Sequence, residues 1–220
     1  MSVQPERRLY LIRHGKASHS STGELEASRG LVADPPLNDV GLEQVEILTR
    51  RLLKMPRPAG LYVSPLARAR QTVAPFERQT GMSATVVDDL AEWFGGEWEF
   101  MEFEELIGEH PEMPSRVLMQ DPVFELAPGA ESKAGFQGRV VPAVEAALAA
   151  HPDGDVWIVC HGGVINVYLS QILGLHPQQE LFFLPPNTSL NTVRIVGDQR
   201  FVWFIADDTH ITQPDLYADR

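Results

Sequence analysis

The sequence predicts an α/β fold, a three-layer α/β/α sandwich with a mostly parallel, mixed sheet. Short apolar runs of strand length alternate with longer amphipathic stretches of helical period, the pattern of a sheet covered by helices on both faces. Two strand-like runs near the C-terminus are joined by Gly197-Asp198, a hairpin signal, so at least one antiparallel pair is expected. The 220 residues contain no internal repeat or low-complexity tract and suit one domain over 1–220, with a cap inserted at about 95–130.

Arg8–Arg13 holds the run Leu9-Tyr10-Leu11-Ile12 and reads as a buried strand, after which Gly15 lets the chain turn. A polar loop, Ala17–Pro36, follows. Asn38 or Asp39 caps a helix reaching about Lys54, with Leu42, Val45, Leu48, Leu52 and Leu53 as its apolar stripe, and Pro56 and Pro58 end it. Leu61-Tyr62-Val63 is a short strand. Pro65 sits near the start of a helix over Leu66–Gln79, which Gly81 terminates. Thr85–Val87 is a third strand. Glu92–Pro128, rich in Glu, Trp, Phe and Pro, breaks the alternation and reads as short helices and loops covering one edge. A helix over Gly135–Ala150, a strand over Asp155–Cys160 and a helix over Gly163–Leu173, closed by Gly174, resume it. Thr188–Val196 and Arg200–Ala206 form the hairpin, and the chain after Asp207 is expected to be loose.

Composition is that of a globular protein: 44% hydrophobic and 22% charged. The net charge of -12 argues against nucleic acid and anionic membranes as partners, and makes any local Arg cluster conspicuous as an anion site. One cysteine, Cys160, allows no intramolecular disulfide. Met1–Arg8 has no apolar core of a secretory signal, and no stretch approaches the roughly twenty apolar residues that span a bilayer. A cytoplasmic location is the expectation.

Arg13-His14-Gly15-Lys16 delivers a guanidinium and an imidazole together to a strand end, the rim where open α/β sheets bind ligands. A guanidinium forks onto phosphate oxygens, and a neutral imidazole nitrogen is a nucleophile near pH 7. By itself that pair is ordinary. His161-Gly162-Gly163 follows the apolar run Val156–Cys160 in the same way, so two imidazoles meet if the strands are neighbours. Two further segments end strands at the same rim: Ser64-Pro65-Leu66-Ala67-Arg68-Ala69-Arg70-Gln71-Thr72, and Leu90-Ala91-Glu92 with Gly96-Glu97-Trp98-Glu99.

These four ordered motifs, with Pro36-Leu37-Asn38-Asp39-Val40-Gly41-Leu42-Glu43-Gln44, resemble the histidine phosphatase superfamily, the phosphoglycerate mutase-like family, over about Arg8 to Val196. The resemblance implies a phosphoric monoester hydrolase of its phosphatase branch. In that reading His14 is the nucleophile that becomes phosphorylated, Arg13 and Arg68 grip the phosphoryl oxygens, His161 stabilises charge on the transferring group, and Glu92 protonates the leaving oxygen. A protonated His161 would add to the cationic pocket, and backbone N–H groups at the helix start after it, beside Gly162, would add an anion site. No cofactor is implied and no metal is needed, since Asp, His and Cys do not cluster at ligand spacing. The partner is a small-molecule phosphate monoester, and exposed aromatics in the cap leave a homodimer open.

Plainer readings apply elsewhere. Arg70 projects to another side of its helix than Arg68, and Glu97 and Glu99 are rival acids on a solvated face. Cys160 is a small core residue, while His19, His110, His151, His176 and His210 have no supporting motif and read as surface or loop residues. The Trp and Phe of 93–124 pack the cap. Four departures stand out against the family pattern. Lys16 replaces a common Glu or Gln and invites a second anionic group on the substrate. Ser18 or Ser20 stands in for a phosphate-binding Asn, and Phe94 and Gly95 alter the floor of the substrate site. Three alternatives remain: a phosphoglycerate mutase, which the acidic 92–130 segment suits poorly; a catalytically silent binding protein on this scaffold; and a protein phosphohistidine phosphatase with an open cleft.

Overall fold

The computed structural model describes residues 6–18, 34–100, 103–112, 127–175 and 183–217. Strand β1, Glu6–Arg13, alternates its side chains between two hydrophobic layers: Leu9 and Leu11 enter one, Ile12 the other. Strand β4, Val156–Cys160, lies parallel beside it and is buried at every position, with Val156, Ile158 and Cys160 on one face and Trp157 and Val159 on the opposite face. A strand covered on both faces has no polar side to show, which is why its sequence is continuously apolar.

The six-stranded sheet has the order β3-β2-β4-β1-β5-β6, where β2 is Gly60–Val63, β3 Thr85–Val86, β5 Leu190–Val196 and β6 Gln199–Asp207. β3, β2, β4 and β1 run parallel, and β5 and β6 add the antiparallel pairs. Helices α1, Asp39–Leu53, and α2, Ala67–Thr80, bury Leu48, Leu52, Val73 and Phe76 against the Trp157 face. A short helix α3, Phe103–Glu109, and a 3-10 turn at Gly96–Phe100 lie in the segment expected as a cap, of which 101–102 and 113–126 fall outside the described residues. Helices α4, Lys133–Ala149, and α5, Gly162–Leu173, bury Phe136, Val140, Ile165 and Tyr168 against the other face. The layered α/β sandwich is the one the alternation predicts.

Local signals place most boundaries. Asn38 caps α1, its Oδ1 accepting Gly41 N–H at 2.9 Å, and Gly81 and Gly174 close α2 and α5 in the left-handed conformation. Ser132 starts α4 earlier than the expected Gly135 by capping Gly135 N–H at 3.0 Å. The apolar stripe expected on α1 needs correction: Leu42 and Leu53 are exposed, while Thr49 and Arg51 are buried. Thr49 satisfies its hydroxyl on Val45 O, and Arg51 finds a carboxylate on the C-terminal segment. That segment is the second correction. Residues 208–217 are not loose: α6, Thr209–Thr212, and a 3-10 turn at Pro214–Tyr217 pack on α1, and His210 is fully buried rather than a surface residue. The anchor is an ion pair from Arg51 to both oxygens of Asp207, at 3.1 and 2.5 Å, beneath the Tyr217 ring.

Candidate active site

The register of two neighbouring strands creates the site. β1 and β4 pair in parallel with Arg13 opposite Cys160, so the next residues, His14 and His161, leave the sheet side by side. Their rings lie 5.1 Å apart, centroid to centroid, tilted by 57°. His14 N–H donates to Cys160 O at 3.0 Å, which holds the two strand ends together. β2 flanks β4 on its far side and delivers Ser64, whose N–H donates to Val159 O. Arg68 enters from the first turn of α2 and is buried.

His14 has one nitrogen committed. Its Nδ1 lies 2.6 Å from Gly15 O, and a carbonyl only accepts, so Nδ1 carries the proton and Nε2 carries the lone pair. Gly15 is confined by Gly41 O and Val45: a Cβ there would meet Gly41 O at 2.9 Å. Gly15 N–H donates to Thr72 Oγ1, whose hydroxyl donates to Arg68 O at 2.7 Å, so the turn after β1 is tied to α2. Burial, followed by the charges of Arg68 and Arg13, pulls His14 down to about 3 against the opposing Gly15 hydrogen bond.

His161 is fully buried, and burial, with Arg68, His14, Arg13 and Arg139, holds it well below its ordinary value. The expectation of a protonated His161 is therefore corrected: the free enzyme carries a neutral ring, because a cation there would be desolvated among three guanidiniums. Its Nε2 meets Ser64 Oγ at 2.6 Å, and its Nδ1 is buried without a partner among the described residues.

Arg13 donates from Nη1 to Pro185 O at 2.6 Å and leaves a buried Nε without a partner among the described residues. Desolvation lowers its pKa, and Glu92 opposes that. Gly162 packs against this guanidinium, since a Cβ there would sit 3.7 Å from Arg13 Cζ. Arg68 faces Asp34 at 3.7 Å, and both Asp34 oxygens accept Ala67 N–H at the start of α2.

Glu92 reaches the start of α5. Its Oε2 accepts Gly163 N–H at 3.1 Å and its Oε1 accepts Trp93 N–H at 3.0 Å. The helix-start amide expected to bind an anion therefore holds this carboxylate. Arg139 of α4 secures the segment that carries Glu92: it donates to the carbonyls of Asp89, Ala91 and Glu92 and pairs with both Glu131 oxygens at 2.7 and 2.8 Å.

The structure thus brings His14, His161, Arg13, Arg68, Gly162 and Glu92 to one rim. Lys16 is exposed, with its N–H on Gln44 Oε1 and its carbonyl on Asn38 N–H, and Ser20 lies outside the described residues. Arg70 and Glu97 are exposed, and burial pushes the Cys160 thiol up. Sequence reasoning placed Ser64 at a strand end without giving it a role, and missed Arg139, Asn187 and Thr188. For the last two a signal existed: a strand antiparallel to β1 begins at the rim where β1 ends, so the residues before β5 belong to the site. Among the described residues, no group of three His, Cys, Asp or Glu could hold a metal ion.

The model of the histidine phosphatase superfamily (branch 1) matches residues 9–208. The chain is 26% identical over 205 residues to a metal-independent phosphoserine phosphatase of Arabidopsis thaliana, covering 93% of this chain and 83% of that protein. It is 27% identical over 176 residues to a glucosyl-3-phosphoglycerate phosphatase of Mycolicibacterium vanbaalenii, covering 77% and 75%. Among solved structures, Bacillus stearothermophilus YhfR shares the fold with a TM-score of 0.77 at 24% identity, over 93% of this chain and 99% of that one. A mycobacterial glucosyl-3-phosphoglycerate phosphatase in complex with VO3 does so with a TM-score of 0.75 at 22% identity, over 92% and 100%. Matched by the family model from the first apolar strand to Asp208, just after β6, the chain belongs to the histidine phosphatase superfamily, branch 1.

Proposed function

We propose that this protein is a metal-independent phosphatase that hydrolyses a small phosphate monoester through a phosphohistidine on His14. One observation carries the reading: two neutral imidazoles 5.1 Å apart stand at a sheet rim with the buried Arg68 and the half-buried Arg13, and one imidazole has its Nδ1 proton fixed on a backbone carbonyl. That arrangement presents a lone pair on His14 Nε2 and cations around whatever it attacks.

His14 Nε2 attacks phosphorus, the P–O bond to the leaving group breaks, and Glu92 supplies a proton to the departing oxygen. Each Glu92 oxygen accepts one backbone N–H and keeps a further lone-pair position, so the carboxyl is oriented without being used up. Arg13 and Arg68 balance the charge on the equatorial oxygens. His161, neutral and backed by Ser64, contributes a ring N–H rather than a cation. In the second half, Glu92 takes a proton from water, the water oxygen bonds to phosphorus, the N–P bond breaks and phosphate leaves.

In the same reading the protein is one domain whose cap, about 95–130, shapes substrate choice, and Lys16 and Ser20 contact the substrate. A cytoplasmic location and no nucleic-acid partner fit a chain of one cysteine and net charge -12, and the exposed Phe201, Trp203 and Phe204 of β6 leave room for a homodimer. The test is phosphate release from p-nitrophenyl phosphate and a panel of phosphorylated amino acids and sugars, with EDTA, by wild type and His14→Ala. Turnover in EDTA that His14→Ala abolishes supports the reading. Turnover that survives His14→Ala, or that needs a metal, overturns it.

A further inference from the structure

His210, buried in α6, plays no part in the mechanism above, yet its bonds lead to the site. Its Nδ1 lies 3.1 Å from Arg51 Nη1 and its Nε2 lies 3.1 Å from Thr188 Oγ1. A guanidinium only donates, so Nδ1 accepts and the ring proton sits on Nε2, directed at the Thr188 oxygen. The Thr188 hydroxyl then donates to Asn187 O at 2.6 Å. Arg51 fixes every proton in this series, and Arg51 is itself held by Asp207 and covered by Tyr217. Burial and the Arg51 charge, against Asp207, bring His210 down to about 4, so the ring is neutral near pH 7.

The far end of the series holds the reacting groups. Thr188 is β-branched yet has φ 62, a conformation such residues keep only where their surroundings impose it. Its N–H donates to Arg13 O at 3.1 Å and to His14 O at 3.2 Å, and Asn187 Nδ2 donates to His14 O at 3.0 Å. Two residues earlier in the same turn, Pro185 O receives the Arg13 guanidinium. One strained turn therefore fixes the backbone of the nucleophile and the direction of a phosphate-gripping cation. The hydroxyl of the residue at positive φ is bonded to His210.

We propose that His210 is a positioning residue for phosphoryl transfer, holding the 185–188 turn through Thr188 and thereby setting Arg13 and His14. The proposal rests on the reading of His14 as nucleophile. It is tested with His210→Phe, which fills the space without hydrogen bonds, His210→Gln, which retains a donor, and Thr188→Ala. Steady-state kinetics on p-nitrophenyl phosphate, the dissociation constant of inorganic phosphate and the thermal midpoint are measured for each.

His210→Phe is expected to lower kcat by about 10- to 100-fold, the scale of a small misplacement of reacting groups, and to weaken phosphate binding. His210→Gln recovers part of the loss. Thr188→Ala reproduces it, and the double variant falls no further than either single one. Wild-type kcat and phosphate affinity in His210→Phe, with only a lower thermal midpoint, overturn the proposal and leave His210 a packing residue. If His210→Phe does not fold, Thr188→Ala decides in the same way. A wild type without turnover overturns the phosphatase reading instead, and phosphate affinity across the variants still decides the role of His210. A wild type that also binds no phosphate overturns both.

Discussion

In the proposed mechanism His14 and Glu92 divide the chemistry because their surroundings differ. Burial, with the charges of Arg68 and Arg13, keeps His14 neutral far into acid, so as the proposed nucleophile it is not expected to limit the rate at pH 5. Glu92 is oriented by two backbone amides at the mouth of α5. General-acid help matters in proportion to how badly a leaving group needs a proton. Glu92→Gln is therefore expected to slow hydrolysis of alkyl phosphates by about 10²- to 10⁴-fold. With p-nitrophenyl phosphate, whose phenolate departs unaided, the variant should keep a rapid burst of one equivalent and then turn over slowly, because the second half-reaction lacks its base. Stopped-flow absorbance shows the burst. Its loss would mean that Glu92 is not the acid, and Glu97 or another carboxylate would have to be sought.

At the scale of elements, the start of α5 and the middle of α4 clamp the acid. A Cβ on Gly163 would lie 2.3 Å from Glu92 Oε1 and 3.2 Å from Phe136 Cε1, while the amide of the same residue binds Glu92 Oε2. Gly163→Ala therefore pushes away the carboxylate that its backbone holds. Alanine gains up to about 1 kcal/mol over glycine in a helix, so stability should change little. We expect a fall in kcat of about 10-fold or more with a nearly unchanged thermal midpoint, since small displacements are costly at a reacting centre. Parallel kinetics and thermal melts check this. A variant that unfolds early but works at wild-type rate per folded molecule would contradict it. Arg139→Lys should act through the same carboxyl, because a lysine cannot span Glu131 and three carbonyls at once.

For the whole molecule, three buried histidines make stability depend on pH. His14 at about 3, His210 at about 4 and His161, held well below its ordinary value by burial, bind fewer protons in the folded chain than in the unfolded one, where a histidine takes its ordinary value near 6.5. Between those values the unfolded state holds the extra protons, so stability rises with pH and is lost as pH falls from about 6.5 toward the folded values. From pH 7.5 to pH 5 each such histidine costs about 2 kcal/mol. Asp207, held near 2 by Arg51 and Thr209 against desolvation, adds a loss of the same sign only below about 4. Urea unfolding at both pH values measures the difference, and His210→Phe should reduce it by about one histidine's share. A stability that does not change between pH 7.5 and 5 would contradict the buried neutral rings.

The amino-acid sequence by itself determined the alternation of strands and helices, the C-terminal hairpin and the delivery of Arg13, His14, Ser64, Arg68, Glu92 and His161 to strand ends. Each of these follows from short-range periods, caps and glycine turns that neighbouring residues impose on one another. Only the tertiary structure decided that β1 and β4 are neighbours with Arg13 opposite Cys160, which turns two separate His-Gly motifs into one pair of rings. It also decided that His161 is neutral, because protonation is suppressed first by burial under the packed sheet and helices and then by charges from β1, α2 and α4, far apart in the chain. Arg51 and His210 were illegible for the same reason. A polar residue on a helix stripe or in a terminal segment reads as exposed until the partner that satisfies it, here Asp207 for one and Thr188 for the other, is brought across the fold.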